Sequence, residues 1–238
     1  MTDLAPDAAT APETSTDDRA LRADIYGLIA ALLRASPEPA DLAWLGGLET
    51  DDDGSALAMA WRRLARCAAQ AEAEGLSRAH FRHLIGVIQG DVLPYASYYR
   101  DGALMETSLV ALRQDLKALG IERSLGVHDP EDHLAALCDV MAILIMEGPS
   151  AERAFFHRHL APWAGRCLAD LALVDTPFYA ALGELGKAYI DDECVRLGAT
   201  TESRRIRLIP TDLLPGQYRG NEPTRQRGET SHDTDSDI

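Results

Sequence analysis

Between Leu21 and Leu197 large apolar residues return every three or four positions, the spacing of one buried helix face. Leu21, Ile25, Leu28, Ile29, Leu32 and Leu33 form the first stripe. Leu57, Trp61, Leu64, Ala68 and Ala71 predict a second helix, starting near Ser55 and stopped by Gly75. Ser77 is expected to cap a third, through Phe81, Leu84, Ile85 and Ile88 to Gly90. Leu109, Leu112, Leu116 and Leu119 follow, closed by Gly120. Leu134, Leu137, Cys138, Met141, Leu144 and Ile145 make the next stripe, ended by Gly148-Pro149. Ser150 opens a helix with Phe155 and Phe156 that Pro162 breaks before Trp163, Cys167, Leu168 and Leu171. Thr176-Pro177 starts the last, through Tyr179, Leu182, Leu185, Tyr189 and Val195 to Gly198. No segment alternates with period two. The pattern predicts an all-α, single-domain bundle of roughly eight to ten helices.

The ends differ from the middle. Met1 to Asp18 is Ala, Pro, Thr and acid, with Leu4 as its one large apolar residue, and Thr200 to Ile238 is polar and charged. Neither stretch buries enough to offset its ordering entropy, so disordered ends are expected at 1–18 and 200–238 around a domain at 19–199. The net charge of −15 argues against general affinity for nucleic acid or anionic membranes. Cys67, Cys138, Cys167 and Cys194 are scattered, form no CxxC pair and fall on apolar helical positions, as small buried thiols of a reduced cytoplasmic protein would. The N-terminus lacks the charge and apolar run of a secretory signal, and no stretch reaches the roughly 20 apolar residues of a membrane span. A cytoplasmic location is the expectation.

Several candidates for chemistry weaken on inspection. His80-x-x-His83 and His157-x-His159 have a metal-like spacing but no Glu-x-x-His partner, and His80 and His83 flank arginines, so surface histidines are expected and no metal or other cofactor. Gly183-Glu184-Leu185-Gly186-Lys187 has Ala181 and Ala188 where a phosphate loop needs glycine and Ser/Thr, and it falls in mid-helix. No catalytic residue can be assigned.

Two stretches stand out instead. In Val127-His128-Asp129-Pro130-Glu131-Asp132-His133-Leu134, Asp129 is expected to cap a helix with Pro130 at its first position. Glu131 and Asp132 then sit at its positive end, with His133 one turn in. Asp132 and His133 suit an ordered junction, a partner contact or, less readily, an acid/base pair. In Leu93-Pro94-Tyr95-Ala96-Ser97-Tyr98-Tyr99, three amphipathic aromatics suit recognition. The candidate site is therefore Tyr95, Ser97, Tyr98, Tyr99, Asp129, Pro130, Glu131, Asp132 and His133, two sides of one binding surface.

At these residues the chain resembles the TorD/DmsD family of cytoplasmic chaperones for molybdenum enzymes. The most specific part is Asp129-Pro130-Glu131-Asp132-His133, where the family usually begins with Glu. Gly90-Asp91-Val92 with Pro94 to Tyr99, Phe155-Phe156-x-x-His159-Leu160-x-Pro162-Trp163, and Phe178-Tyr179 support it, and the resemblance runs from about Leu21 to Leu197. It implies a TorD-like fold and a non-enzymatic monomer or homodimer. Such a protein binds the twin-arginine signal peptide and apo form of a molybdopterin oxidoreductase and delays export until the cofactor is inserted. Asp129, Glu131 and Asp132 would then face the arginines, and Tyr95, Tyr98 and Tyr99 the apolar part. A helical adaptor without signal-peptide recognition, or a small helical enzyme using Asp132 and His133, are the alternatives. In the tail, Ser203-Arg204-Arg205-Ile206-Arg207-Leu208 echoes a twin-arginine core. Its plain meaning is a basic patch; a pseudo-ligand for the chain's own groove is the sharper one.

Overall fold

The computed structural model describes residues 16–50, 53–87, 89–123 and 129–198. The expectations for the far ends, for Val127, His128 and Ile88, and for the twin-arginine echo at Ser203–Leu208 lie outside the described residues. Ten α-helices belong to one compact unit, and the described residues contain no strand beyond an isolated bridge. They are α1 (Thr16–Arg34), α2 (Pro39–Gly46), α3 (Ala56–Gln70), α4 (Ala73–His80), α5 (Ala96–Asp101), α6 (Thr107–Ala118), α7 (Leu134–Glu147), α8 (Pro149–Phe155), α9 (Ala164–Leu171) and α10 (Pro177–Leu197). π-helical turns prolong α4 through Phe81–Ile85 and α8 through Phe156–Leu160. No described helix is long and apolar enough to cross a membrane.

The apolar stripes bury as their spacing predicts. α1 lays Ile25, Tyr26, Ile29 and Leu33 along α7, which is buried at Leu134, Leu137, Cys138, Met141, Leu144 and Ile145. α10 packs on α3 and α9, with Phe178, Tyr179, Leu182, Leu185 and Tyr189 in the core. Each such side chain contributes ~1.5–3 kcal/mol on leaving water. Gly183 and Gly186 serve this packing. A Cβ on Gly183 would lie 2.4 Å from the Ala172 nitrogen and 2.7 Å from the Leu168 oxygen, so the pair lets α9 and α10 close on each other. One polar knot ties α1 to α8 and α10. Buried Arg22 donates through Nε to Glu193 at 2.8 Å and through Nη2 to Glu193 and Glu152, while the Tyr189 hydroxyl donates to the Arg22 carbonyl at 2.9 Å.

The boundaries correct several expectations. α1 already includes Thr16 to Asp18. α3 ends at Gln70 because Ala71 turns extended, and α4 restarts after Glu72, so neither Gly75 nor Ser77 punctuates the chain as expected. The break comes at Gly86, φ +66°, where a Cβ would meet the Gln89 oxygen at 2.1 Å. α2 and α5 were not anticipated. The first has only Leu42 and Leu45 to bury, and its start is set by Pro39 and by the Asp41 carboxylate accepting from the Glu38 N–H at 2.8 Å.

The histidines correct another. Of these four candidates, His80, His83 and His159 are buried, and His157 is exposed as expected. Each buried ring finds partners: His80 Nε2 lies 3.2 Å from the Leu33 oxygen, His83 Nδ1 2.7 Å from Asp91 and Nε2 2.8 Å from Thr176, and His159 Nε2 2.7 Å from Asp115. Their arginine neighbours turn outward to Glu74 and Asp175. No group of three or more His, Cys, Asp or Glu among the described residues is arranged to hold a metal.

Candidate functional site

The two unusual stretches lie side by side. Tyr95 and His133 form an antiparallel bridge, flanked by Ala96 N–H donating to the Asp132 oxygen at 2.9 Å and Leu134 N–H to the Pro94 oxygen at 2.7 Å. Their side chains divide the work differently from the expectation.

Asp132 is fully buried and does not face solvent. Its Oδ2 accepts from the Ser97 N–H at 2.9 Å and the Ser97 hydroxyl at 2.6 Å, so it supplies from a distant part of the chain the carboxylate that the first turn of α5 needs. Ser97 Oγ in turn accepts from Met105 N–H at 3.1 Å, holding Met105 at φ +63°. The Asp132 Oδ1 has no hydrogen-bond partner among the described residues.

His133, not Asp129, caps α7. The helix begins at Leu134, and the His133 Nδ1 accepts from Ala135 N–H at 3.1 Å. Pro130 to His133 form a turn instead, closed by the His133 N–H on the Pro130 oxygen at 3.1 Å. Accepting at Nδ1 places the proton on Nε2. Burial pushes the His133 pKa down to about 4 against the pull of Asp129 and Asp132, so the ring is neutral at pH 7. Its edge meets Tyr95 with centroids 4.9 Å apart. The Tyr95 hydroxyl is pushed up to about 12 by burial and by the Asp129 and Asp132 charges.

The tyrosines part company as well. Tyr98 is 40 % exposed, but Tyr99 is buried, stacked on Trp163 with centroids 5.6 Å apart. Its hydroxyl donates to Asp170 at 2.6 Å, so it anchors α5 to α9 instead of staying wet.

What opens to solvent is a groove of about 170 Å³ beside Asp129, Pro130, Glu131 and His133. Leu116, Ile121, Val140 and Ile143 give it apolar walls, and Ile143 is 44 % exposed. Glu122, Asp129, Glu131 and Asp139 line it too, two of them answered by arginine. Asp139 pairs with Arg34, and Glu131 pairs with Arg113 at 2.8 Å. Burial works against the Glu131 charge, but Arg113, with Arg123 farther off, holds its carboxyl below the usual range. Asp129 is exposed and its carboxylate makes no ion pair among the described residues, though its carbonyl accepts from Arg123 at 3.2 Å. Sequence reasoning missed Arg34, Arg113, Asp139 and the apolar wall. The available signal was α7 itself, whose apolar residues run past one face to Val140 and Ile143.

Residues 50–169 match the family model for the nitrate reductase delta subunit, a span holding both stretches. Over 183 residues the chain is 33 % identical to the Tat proofreading chaperone DmsD of Salmonella typhi, covering 72 % of this chain and 86 % of that protein. It is 32 % identical over 183 residues to the protein of that name from Salmonella typhimurium, with the same coverage. To the chaperone protein TorD of Vibrio cholerae it is 30 % identical over 118 residues, 42 % of this chain and 52 % of that one. On sequence, on length covered and on its all-helical architecture, this chain belongs to the TorD/DmsD family of chaperones.

Proposed function

We propose that this protein is a redox-enzyme maturation chaperone working on the cytoplasmic side of export. It binds the twin-arginine signal peptide and apo form of a molybdopterin oxidoreductase and holds it back until its cofactor is in place. One observation carries the reading. The groove beside Asp129–His133 combines apolar walls with carboxylates at its edge, the two chemistries of a peptide with an arginine head and an apolar body. Asp129 is open to a guanidinium, and Glu131 and Asp139 already hold one each, so the site suits arginine partners. Asp132 acts through Ser97, keeping the two stretches together, and not by touching the peptide. The relatives' names, which specify Tat proofreading, point the same way.

The test is calorimetric titration of the full-length protein with twin-arginine signal peptides and their Arg→Lys counterparts. Saturable binding that falls several-fold with lysine is expected. Equal binding of both, or binding indifferent to Asp129→Asn and Glu131→Gln, would sink the reading.

A further inference from the structure

A second groove lies away from the first, between α1, α3 and the segment after α2. It has a volume of about 560 Å³, within the range of sites that bury apolar groups. Leu28, Leu48, Leu57 and Trp61 form a floor packed against the core, and Leu21 and Trp44 stand 59 % and 55 % exposed beside it. Large apolar groups held open on this scale mark an interaction surface.

Its charge is of one sign. Asp24, Glu49 and Asp53 line it, while no lysine, arginine or histidine does. None of these three carboxylates has an ion pair among the described residues, although the Arg62 charge acts on Asp53. An acidic rim around an apolar floor selects its occupant. A second copy of this chain, itself at −15, would set acid against acid across a two-fold contact, and an anionic lipid surface would be repelled. Nor is there a sheet edge among the described residues to extend, so an incoming segment must satisfy its own backbone hydrogen bonds.

We infer that this groove docks an amphipathic helix of a partner protein, apolar on the docking face and edged with lysine or arginine. Leu21 and Trp44 would close over apolar residues spaced three and four apart, and Asp24, Glu49 and Asp53 would meet the basic edge. This inference is independent of the signal-peptide site.

Trp44 and Trp61 make the groove its own reporter, since the third tryptophan, Trp163, is fully buried elsewhere. Full-length protein is titrated with a synthetic helical peptide carrying leucine at i, i+3, i+4 and i+7 and lysine along both edges, and with a glutamate-edged counterpart. Tryptophan emission and calorimetry are followed together. The lysine-edged peptide is expected to bind with a blue shift that Trp44→Phe largely removes. The triple variant Asp24→Asn, Glu49→Gln, Asp53→Asn is expected to weaken it roughly tenfold. Asp129→Asn with Glu131→Gln is expected to leave it unchanged, which separates this test from that of the first groove. The inference is overturned if neither peptide binds, if the glutamate-edged peptide binds as well, or if the triple variant binds normally. Dimerisation lost on Leu21→Ser, or binding of the protein to anionic vesicles, would assign the surface to another occupant and overturn it too.

Discussion

The two grooves share α1 but treat charge in opposite ways. Beside Asp129–His133, two of the four acids that line the wall have an arginine already: Arg34 on Asp139, Arg113 on Glu131. Between α1 and α3, Asp24, Glu49 and Asp53 have no arginine pair among the described residues. A cation arriving at the first finds Asp129 open, but at Glu131 and Asp139 it must exchange with one in place, so there it gains little net energy. At the second, each new pair forms from two hydrated ions, worth ~0.2–1 kcal/mol and sensitive to salt. The first arrangement favours selectivity and the second loose capture.

The comparison breaks altogether where its common element is released. Arg22→Ala leaves Glu152 buried without its cation, leaves Glu193 to Arg196 at 3.3 Å, and unties α1 from α8 and α10. Breaking such a buried network costs ~3–5 kcal/mol. Urea denaturation is expected to show that loss, with both grooves' peptides weakened together. Should only one groove suffer, α1 is not their shared support.

Asp132 separates the grooves instead. Asp132→Ala removes the acceptor of two buried Ser97 donors, a cost of ~2–3 kcal/mol. It detaches the Tyr95 stretch from the His133 turn, so signal-peptide binding falls while the Trp44 response persists. Asp132→Asn keeps an acceptor for Ser97 and is expected to lose less than half as much stability. An equal loss for both would show that charge, not hydrogen bonding, is what Ser97 needs.

Asp132 also shows what was legible in the sequence. Acid-Pro-acid-acid-His reads as a helix start, and α7 does follow, but the cap is His133. Local pattern cannot see that Ser97, 35 residues earlier, claims the carboxylate. Likewise α1, α7 and α10 were legible because their stripes span many turns, whereas eight-residue α2 and six-residue α5 are too short to show a period. His80 and His83 looked exposed because arginines flank them, and His159 was expected at the surface too, yet their partners Leu33, Thr176 and Asp115 come from distant helices or the turn before one. The adjacency of the two unusual stretches was expected as two sides of a surface. Which of their residues face outward depended on tertiary partners.

Acid weakens the first region before the second. The His133 pKa, about 4 in the fold against an ordinary 6.5, means the unfolded chain binds more protons between those values. Stability therefore falls as pH drops from 6.5 towards 4, by ~2 kcal/mol from this group at pH 5. His133→Asn keeps a capping side chain without a titrating one. Its stability is expected to decline less between pH 6.5 and 5 than the parent's. Parallel declines would place the acid sensitivity elsewhere, with His80 and His159, also lowered by burial, next in line.

The smallest effects sharpen the comparison most. Asp129→Asn removes an unpaired exposed carboxylate, so signal-peptide affinity should fall about threefold at low salt and hardly at all at high salt. Glu131→Gln should cost more, because it also uncovers Arg113 beside Glu131, where it repels the incoming arginines. Arg113→Gln then has the opposite sign: it frees Glu131 for the peptide and should tighten binding. If Arg113→Gln weakens binding instead, Arg113 orders Glu131 for its ligand and does not compete with it. The first groove would then be a preassembled receptor, unlike the open acidic rim between α1 and α3.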